Sequence, residues 1–553
     1  MTVGSRFSLQ RLCFCTDGGL LSSGEDQRQC RFWRHLAMRP GCFRSNRLPT
    51  VTYSDINSMH YRRLSHEYQA ETGKRFSLKT LSGRRRSGRK VLMICRDLRD
   101  LLCLLETEGE LQTVRVTVDP LLEIAALTNR VCKSEDNKAM LFEDVRGSRF
   151  RVATNVFGSE RRMALSLGIN ELSDLACRFD EILSELPGKS SGEKISSLTE
   201  SELWRRSGAE LCSEIPPECL LDAAPGLDSL PLIKGSPLDG HPHHEGRFLT
   251  LPLVITADPD FSEFNCGMYR AAQTGTDRLA VCWSSGSGAA EHAKMWAAVN
   301  KPMPVAIALG GPPALTFAAT LPLPDHVDEF RFAGLLQGEP VRTYRCTNGL
   351  MAPAGTEIVM EGYLDARESG FSGAFGNHTG FYTPSAPASQ VKVTCIRHRK
   401  DLILPATVVG KPPMEDCWLA RAGGYLLLSL LKIDVPEVTN LHYPFAGIFH
   451  GGVIISVQNA SGRGAELISS IRKNRWFTGS RLLVLVDEGE DPSDEAGVCW
   501  RVMNLVDWER DLIISEGRLS VDATRKPGVR IPVAADAATE ELVIKRWREY
   551  GFP

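Results

Sequence analysis

The residues best suited to chemistry in this 553-residue chain lie between Asn265 and Gly380. In Asn265-Cys-Gly-Met-Tyr-Arg270 a glycine permits close backbone approach and Arg270 offers a fixed fork for a carboxylate or phosphate, although a surface turn with a solvent-facing arginine fits the same residues. Leu309-Gly-Gly-Pro-Pro-Ala314 runs into Thr320-Leu-Pro-Leu-Pro-Asp325, a strand, hinge, short helix and rigid bend whose free N–H groups suit anions. Glu329 follows, just before the apolar run Phe330–Leu336, where a partly buried acid needs a cation or a donor. Glu357-Ile-Val-Met-Glu361 puts two acids on one face of a strand. Gly370-Phe-Ser-Gly-Ala-Phe-Gly-Asn-His-Thr-Gly380 carries Ser372, Asn377, His378 and Thr379 on a glycine-rich loop, which packs on a ligand or is a bare turn.

These groups need a scaffold, and the apolar spacing supplies one. Leu98, Leu101, Leu102 and Leu105 mark one face of a helix that stops at Gly109, and Leu111–Val118 alternates as a strand. A second helix starts at Asp119-Pro120, and Ala139–Phe142 and Phe150–Thr154 read as further strands, so residues 93–245 form an N-terminal α/β domain. Its last part, 187–245, is rich in Ser, Gly, Pro and charge and reads as a polar connecting arm, with His241-Pro-His-His244 as a solvated loop rather than a metal site. From 246 to 420 short strands dominate (Phe248–Ile255, Leu279–Trp283, Val305–Leu309, Val341–Arg345, Glu357–Val359, Val391–Ile396), with helices at Glu291–Val299 and Ala314–Thr320. That is a β-rich domain, barrel-like or sandwich-like. Residues 421–553 return to α/β.

Composition narrows the function. Residues 1–92 hold 18 Lys/Arg against 6 Asp/Glu, leaving 47 against 61 in the rest. The body is acidic, which argues against a nucleic-acid-binding body. The basic extension reads as a solvated tail, or as a product of start-site choice with Met93 the true start. Sixteen scattered cysteines without a CxxC pair read as reduced thiols of a cytoplasmic protein, and no apolar run of transmembrane length occurs, which leaves peripheral membrane association open.

In order and spacing the pieces between Asn265 and Gly380 resemble the UbiD decarboxylase family, joined by Arg96-Asp-Leu-Arg-Asp100, Thr394-Cys-Ile-Arg397 and Gly410-Lys-Pro-Pro413. Trp500-Arg-Val-Met-Asn504, Asp507 and Val521-Asp-Ala-Thr-Arg-Lys526 look most like its menaquinone-biosynthesis branch. The resemblance implies a central split barrel of the flavin reductase-like kind, prenylated FMN, a divalent metal such as manganese, and potassium. It also implies decarboxylation of a small aromatic or unsaturated acid, in quinone biosynthesis among other settings, a flavin prenyltransferase supplying the cofactor, and a homo-oligomer.

Residue by residue, the resemblance makes Asn265 and Glu329 metal ligands and places Arg270 at the substrate carboxylate. It lines the cofactor with Asn265, Met268, Arg270, Thr320, Leu321 and Pro322, and puts Arg481 where the family has a lysine at the cofactor phosphate. Three positions depart. Gly286 stands where the family has a histidine ligand, with His292 a candidate replacement, and Ser372 and Asn377 stand where it has two acids. Neither Ser nor Asn titrates near neutral pH, so His378 or water inherits proton donation. On these departures Arg270 loses its acidic partners and the pocket becomes more cationic. The alternative expectation is a catalytically silent homologue that binds flavin or a partner subunit.

Overall fold

The structure is a computed structural model that describes residues 93–553 apart from 213–218, 223–225, 241–244, 325, 450, 478, 527–532, 534 and 553. The basic extension and the His241–His244 cluster lie outside the described residues. Within them stand thirteen α-helices and five sheets, the mixed α/β and β architecture expected, and none of the sheets closes into a barrel.

The first helix, Leu98–Thr107, is capped by Asp97, whose side chain accepts from Asp100 N, and it buries Leu98, Leu101, Leu102 and Leu105. Its chain turns at Gly109 with φ +73° and enters a four-stranded sheet ordered Leu111–Val114, Ala139–Phe142, Arg151–Thr154, Ile403–Ala406. The first strand is shorter than its alternation suggests: Val116 is exposed, and Val118 makes only an isolated bridge to Val145. The stretch read as a polar arm contains the helices Ser191–Glu200 and Glu202–Arg206. A Ser190–Glu193 capping box starts the first, and Ile195, Leu198 and Trp204 are buried beneath them, a pattern masked in the sequence by surrounding Ser and Glu.

The central sheet has nine strands, eight of them in the order Phe248–Leu249, Ala271–Gln273, Arg278–Val281, Pro387–Arg399, Ile358–Phe371, Met303–Leu309, Leu253–Ala257, Phe264–Met268. Phe264–Met268 is thus one edge, while Ala271–Gln273 lies beside the other. Only Tyr269 and Arg270 join them in sequence, and so short a link reaches about 10 Å at most. The sheet must therefore curl until its two ends nearly meet, a split barrel whose slit is spanned by Arg270. The helix Gly288–Ala298 covers the Leu253–Ala257 and Phe264–Met268 strands.

The helix Glu415–Asp434 leads to a five-stranded sheet ordered Val438–His442, Gly452–Val457, Leu482–Asp487, Arg518–Asp522, Leu512–Ser515. Buried charges join the parts. Glu357 and Glu361, which the sequence offered as a pair of strand acids, are both fully buried in ion pairs. Glu357 accepts from Arg99 at 2.6 and 3.0 Å and from Ile403 N at 2.9 Å, while Glu361 accepts from Thr347 N at 2.6 Å and Arg397 at 3.3 Å. Their role is structural: Glu357 pins the first helix to the central sheet. Asp416, at the start of the Glu415–Asp434 helix, is buried, and burial, with the neighbouring Glu415 charge, pushes its carboxyl up to about 7.

Two outcomes are expected. Glu357→Gln takes one charged partner from Arg99, which keeps Asp401, and should lower unfolding free energy by about 1.5 to 3 kcal/mol in urea titration. Asp416 holds its proton more tightly folded than unfolded, where the pKa is about 3.9, so the stability it contributes is full at low pH and lost as pH rises through about 7. Between pH 5 and 8 the wild type should therefore lose more stability than Asp416→Asn, as denaturation at both pH values will show.

Candidate active site

At the slit, the Phe264–Met268 strand pairs Asn265 with Thr256 of Leu253–Ala257, so both side chains face the covering helix. Gly288, in the first turn of that helix, lies so close that a Cβ there would stand 2.3 Å from Asn265 Oδ1. Ser287 caps the helix, and the Tyr269 hydroxyl meets Ser287 and Asn265. The Tyr269 ring lies over Gly267, where a Cβ would come within 2.3 Å of it, which explains a glycine between Asn265 and Arg270. Asn265 Nδ2 remains buried without a hydrogen-bond partner.

Glu329 starts the helix Glu329–Gln337, for which Asp328 is the cap. One Glu329 oxygen accepts from Cys266 N at 3.0 Å, placing the carboxyl beside Asn265's strand. It keeps a little exposed surface, yet the atoms packed round it push it up to about 8. Among the described residues there is no group of three His, Cys, Asp or Glu fit to hold a metal ion. Gly286 supplies no ligand and has open space where a side chain would stand. His292 has its Nδ1 hydrogen-bonded to Thr256 Oγ1 at 2.9 Å in the interface between helix and sheet, on the sheet face that carries Asn265. Asn265 and Glu329 thus fit a divalent cation only when a ligand supplies further oxygens, as phosphates do for magnesium-type ions.

Arg270 spans the slit with its guanidinium 4.4 Å from the Phe375 ring centroid, and its Nε is buried without a partner. Phe375 belongs to the glycine-rich loop, as does His378, and the imidazole packs edge-on against Phe449 at 5.5 Å. Burial and the Arg270 charge both pull His378 below its ordinary value, so the ring is neutral at pH 7. Ser372 and Asn377 are spent inside the loop. Ser372 Oγ donates to Gly373 O at 3.0 Å, Asn377 Nδ2 donates to Thr383 Oγ1 at 2.9 Å, and Asn377 Oδ1 accepts from His378 N at 2.7 Å.

The remaining expected residues line the approaches. Met268 N donates to Ala319 O at 3.1 Å, tying the edge strand to the bend in which Thr320 Oγ1 donates to Phe317 O at 2.7 Å. Leu321 and Pro322 face an apolar cleft against Gly423 and Leu427 of the Glu415–Asp434 helix. Arg481 is exposed at the start of Leu482–Asp487, with its backbone N–H on Gly451 O at 2.9 Å, two residues beyond Phe449.

Sequence reasoning missed Asp239. It is buried, with Oδ1 accepting from Gly376 N at 2.6 Å and Oδ2 from Ser236 N at 2.8 Å and Gly235 N at 3.1 Å. Gly240 and Ala374 exchange backbone hydrogen bonds of 2.8 and 2.9 Å beside it. Gly373, at φ +73°, lets the two segments touch: a Cβ there would lie 2.4 Å from the Gly240 carbonyl carbon. Asp239 also acts electrostatically on Arg270. No ion pair or hydrogen bond joins the two, so this is an influence at a distance. The Asp-Gly pair at 239–240 was the available signal, but alone it reads as a turn.

Comparison with known proteins agrees with the fold. The chain matches the model of the 3-octaprenyl-4-hydroxybenzoate carboxy-lyase N-terminal domain over residues 102–179. It matches the Rift-related domain of the same enzyme over 214–412 and its C-terminal domain over 417–528. An uncharacterized protein of Aquifex aeolicus is 36% identical over 465 residues, covering 83% of this chain and 93% of that protein. One of Archaeoglobus fulgidus is 34% identical over 495 residues, covering 83% and 99%. The vanillic acid decarboxylase of Sedimentibacter hydroxybenzoicus in closed form superposes with a TM-score of 0.70 at 25% identity, covering 83% of this chain and 99% of that one. An evolved dimeric form of the UbiD-class enzyme HmfF from Pelotomaculum thermopropionicum, in complex with prFMN, shares the fold with a TM-score of 0.68 at 23% identity, covering 82% and 100%.

Removing the Asp239 carboxylate should free three amides at once. In Asp239→Ala, hydrogen exchange at Gly235, Ser236 and Gly376 is expected to rise about ten-fold or more, the size set by charge-assisted hydrogen bonds. Unchanged protection at Gly376 would contradict the assignment.

Proposed function

The chain belongs to the UbiD family, and from that premise we propose that it is a carboxy-lyase, removing carbon dioxide from a small aromatic or α,β-unsaturated acid with a prenylated flavin mononucleotide. The observation that carries the reading is the half-buried Arg270 guanidinium, stacked on Phe375 with its buried Nε unpartnered, which suits it to receive a carboxylate. The flavin, when bound, supplies the electron sink for decarboxylation. Everything else falls to the chain. Arg270 holds the carboxylate, the Phe375 and Phe449 rings exclude water, and Asn265 and Glu329 would hold manganese together with oxygens of the bound ligand. The bond from carbon to the carboxylate breaks with loss of carbon dioxide and a C–H bond forms in its place, so the balance needs one proton and no oxidant.

His378 is the group at hand for that proton. Neutral while Arg270 stands alone, it gains affinity for a proton when a carboxylate settles between them. Local bonding of Ser372 and Asn377 favours a second reading, a silent homologue that retains ligand binding without turnover. An aromatic substrate such as a naphthoate of quinone biosynthesis, a flavin prenyltransferase as supplier, a homo-oligomeric state and a cytoplasmic location complete the proposal. On the last point, no helix among the described residues is long and apolar enough to cross a membrane.

The test is expression of the full chain with a flavin prenyltransferase and manganese, followed by the cofactor spectrum and carbon dioxide release from aromatic acids. Bound cofactor with release is expected, Arg270→Met should cut release at least 100-fold, and bound cofactor without release identifies the silent homologue. No cofactor at all refutes the carboxy-lyase reading and a silent homologue that binds flavin. If His378 donates the proton, kcat/KM should rise as pH falls toward the range where the ring is charged, and His378→Asn should flatten that limb.

A further inference from the structure

A second arginine shares the features that single out Arg270. Arg421, on the Glu415–Asp434 helix, has its guanidinium 3.9 Å from the Phe445 ring centroid and 5.1 Å from that of Trp418, and the two rings meet edge-on at 5.0 Å. Its Nε is buried and has no hydrogen-bond partner. The contact found for its amino end is a long one, 3.4 Å to His442 Nε2, and that nitrogen also lies 3.2 Å from Glu495. Glu495 and Glu160 act on Arg421 only at a distance. A half-buried guanidinium with so few acceptors is costly unless an anion completes it.

Position strengthens the case. Phe445 and Phe449 belong to one short loop, so the same loop carries the ring under Arg421 and the ring against His378. Trp418, Phe445 and Phe449 all keep part of their surface exposed, as the lining of an open cleft does.

We propose that Arg421 is a second oxyanion receiver of this cleft, so that the molecule bound there carries an anionic group at each end of an aromatic body. This rests on the reading of Arg270 as the receiver of the carboxylate that is lost. The second oxyanion is either another acidic group of the substrate or the phosphate of the flavin, and both present oxygens that an arginine fork grips through two N–H bonds.

Calorimetric titration of the full-length wild type, Arg421→Met, Arg421→Lys and Arg270→Met decides the matter, with benzoate against terephthalate, 2-naphthoate against 2,6-naphthalenedicarboxylate, and FMN as probes. The wild type is expected to bind a diacid about ten-fold more tightly than the monoacid of the same ring, the size of one charge-assisted contact. Arg421→Met should erase that preference while leaving monoacid affinity within about two-fold, and Arg421→Lys should retain part of it and the wild-type melting temperature. Loss of FMN affinity in Arg421→Met without a diacid preference assigns the oxyanion to the cofactor phosphate and supports the proposal equally. Diacid preference and FMN affinity both unmoved by Arg421→Met, or no binding of any probe, overturns it. Benzoate affinity unmoved by Arg270→Met would instead sink the carboxylate-receiver reading, leaving the Arg421 result to be judged alone.

Discussion

Tyr269 and Arg270 are all that separate Phe264–Met268, one edge of the nine-stranded sheet, from Ala271–Gln273 near the other. A link of that length forces the sheet to curl and leaves a slit too narrow for further secondary structure. Whatever occupies the two linking positions stands in the slit, between the helix at Gly288 and the glycine-rich loop. The partial burial of Arg270 follows from this constraint, and the need of its buried Nε for an acceptor follows from that. Asn265 and Glu329 are then neighbours by connectivity, one on the edge strand and the other bonded to that strand's Cys266 N.

Around the slit, glycine and aspartate do complementary work. Gly267, Gly288 and Gly373 allow approaches that any side chain would block, to Tyr269, Asn265 and Gly240 respectively. Asp239 collects three amides from two segments and fixes the loop that carries Phe375 and His378. The loop therefore does not rely on Ser372 or Asn377 reaching outward, and both turn inward. In a relative with acids at those positions the same loop would bring charge directly to the arginine. Here Asp239 acts on the arginine only at a distance.

Much of this was legible in the residues. The apolar spacing of Leu98, Leu101, Leu102 and Leu105 gave the first helix, and the short strand pattern after Phe248 gave a β-rich middle. Arg270, Glu329 and His378 stood out because their types and neighbours suit anion binding and proton transfer. What remained hidden depends on contacts between distant segments. Nothing near Glu357 announces Arg99, and nothing near Asp239 announces Gly376. The helix Ser191–Glu200 was hidden for another reason: Ser and Glu that cap a helix look like linker composition until the capping box is recognised.

The central claim is that Arg270, held across the slit with an unpartnered Nε, receives a carboxylate. A crystal structure of the chain with FMN and 2-naphthoate tests it most directly. The account predicts the naphthoate carboxylate within hydrogen-bond distance of the Arg270 guanidinium, its ring beside Phe375 and Phe449. A naphthoate bound elsewhere, with Arg270 Nε satisfied by a protein group or left alone, would contradict it.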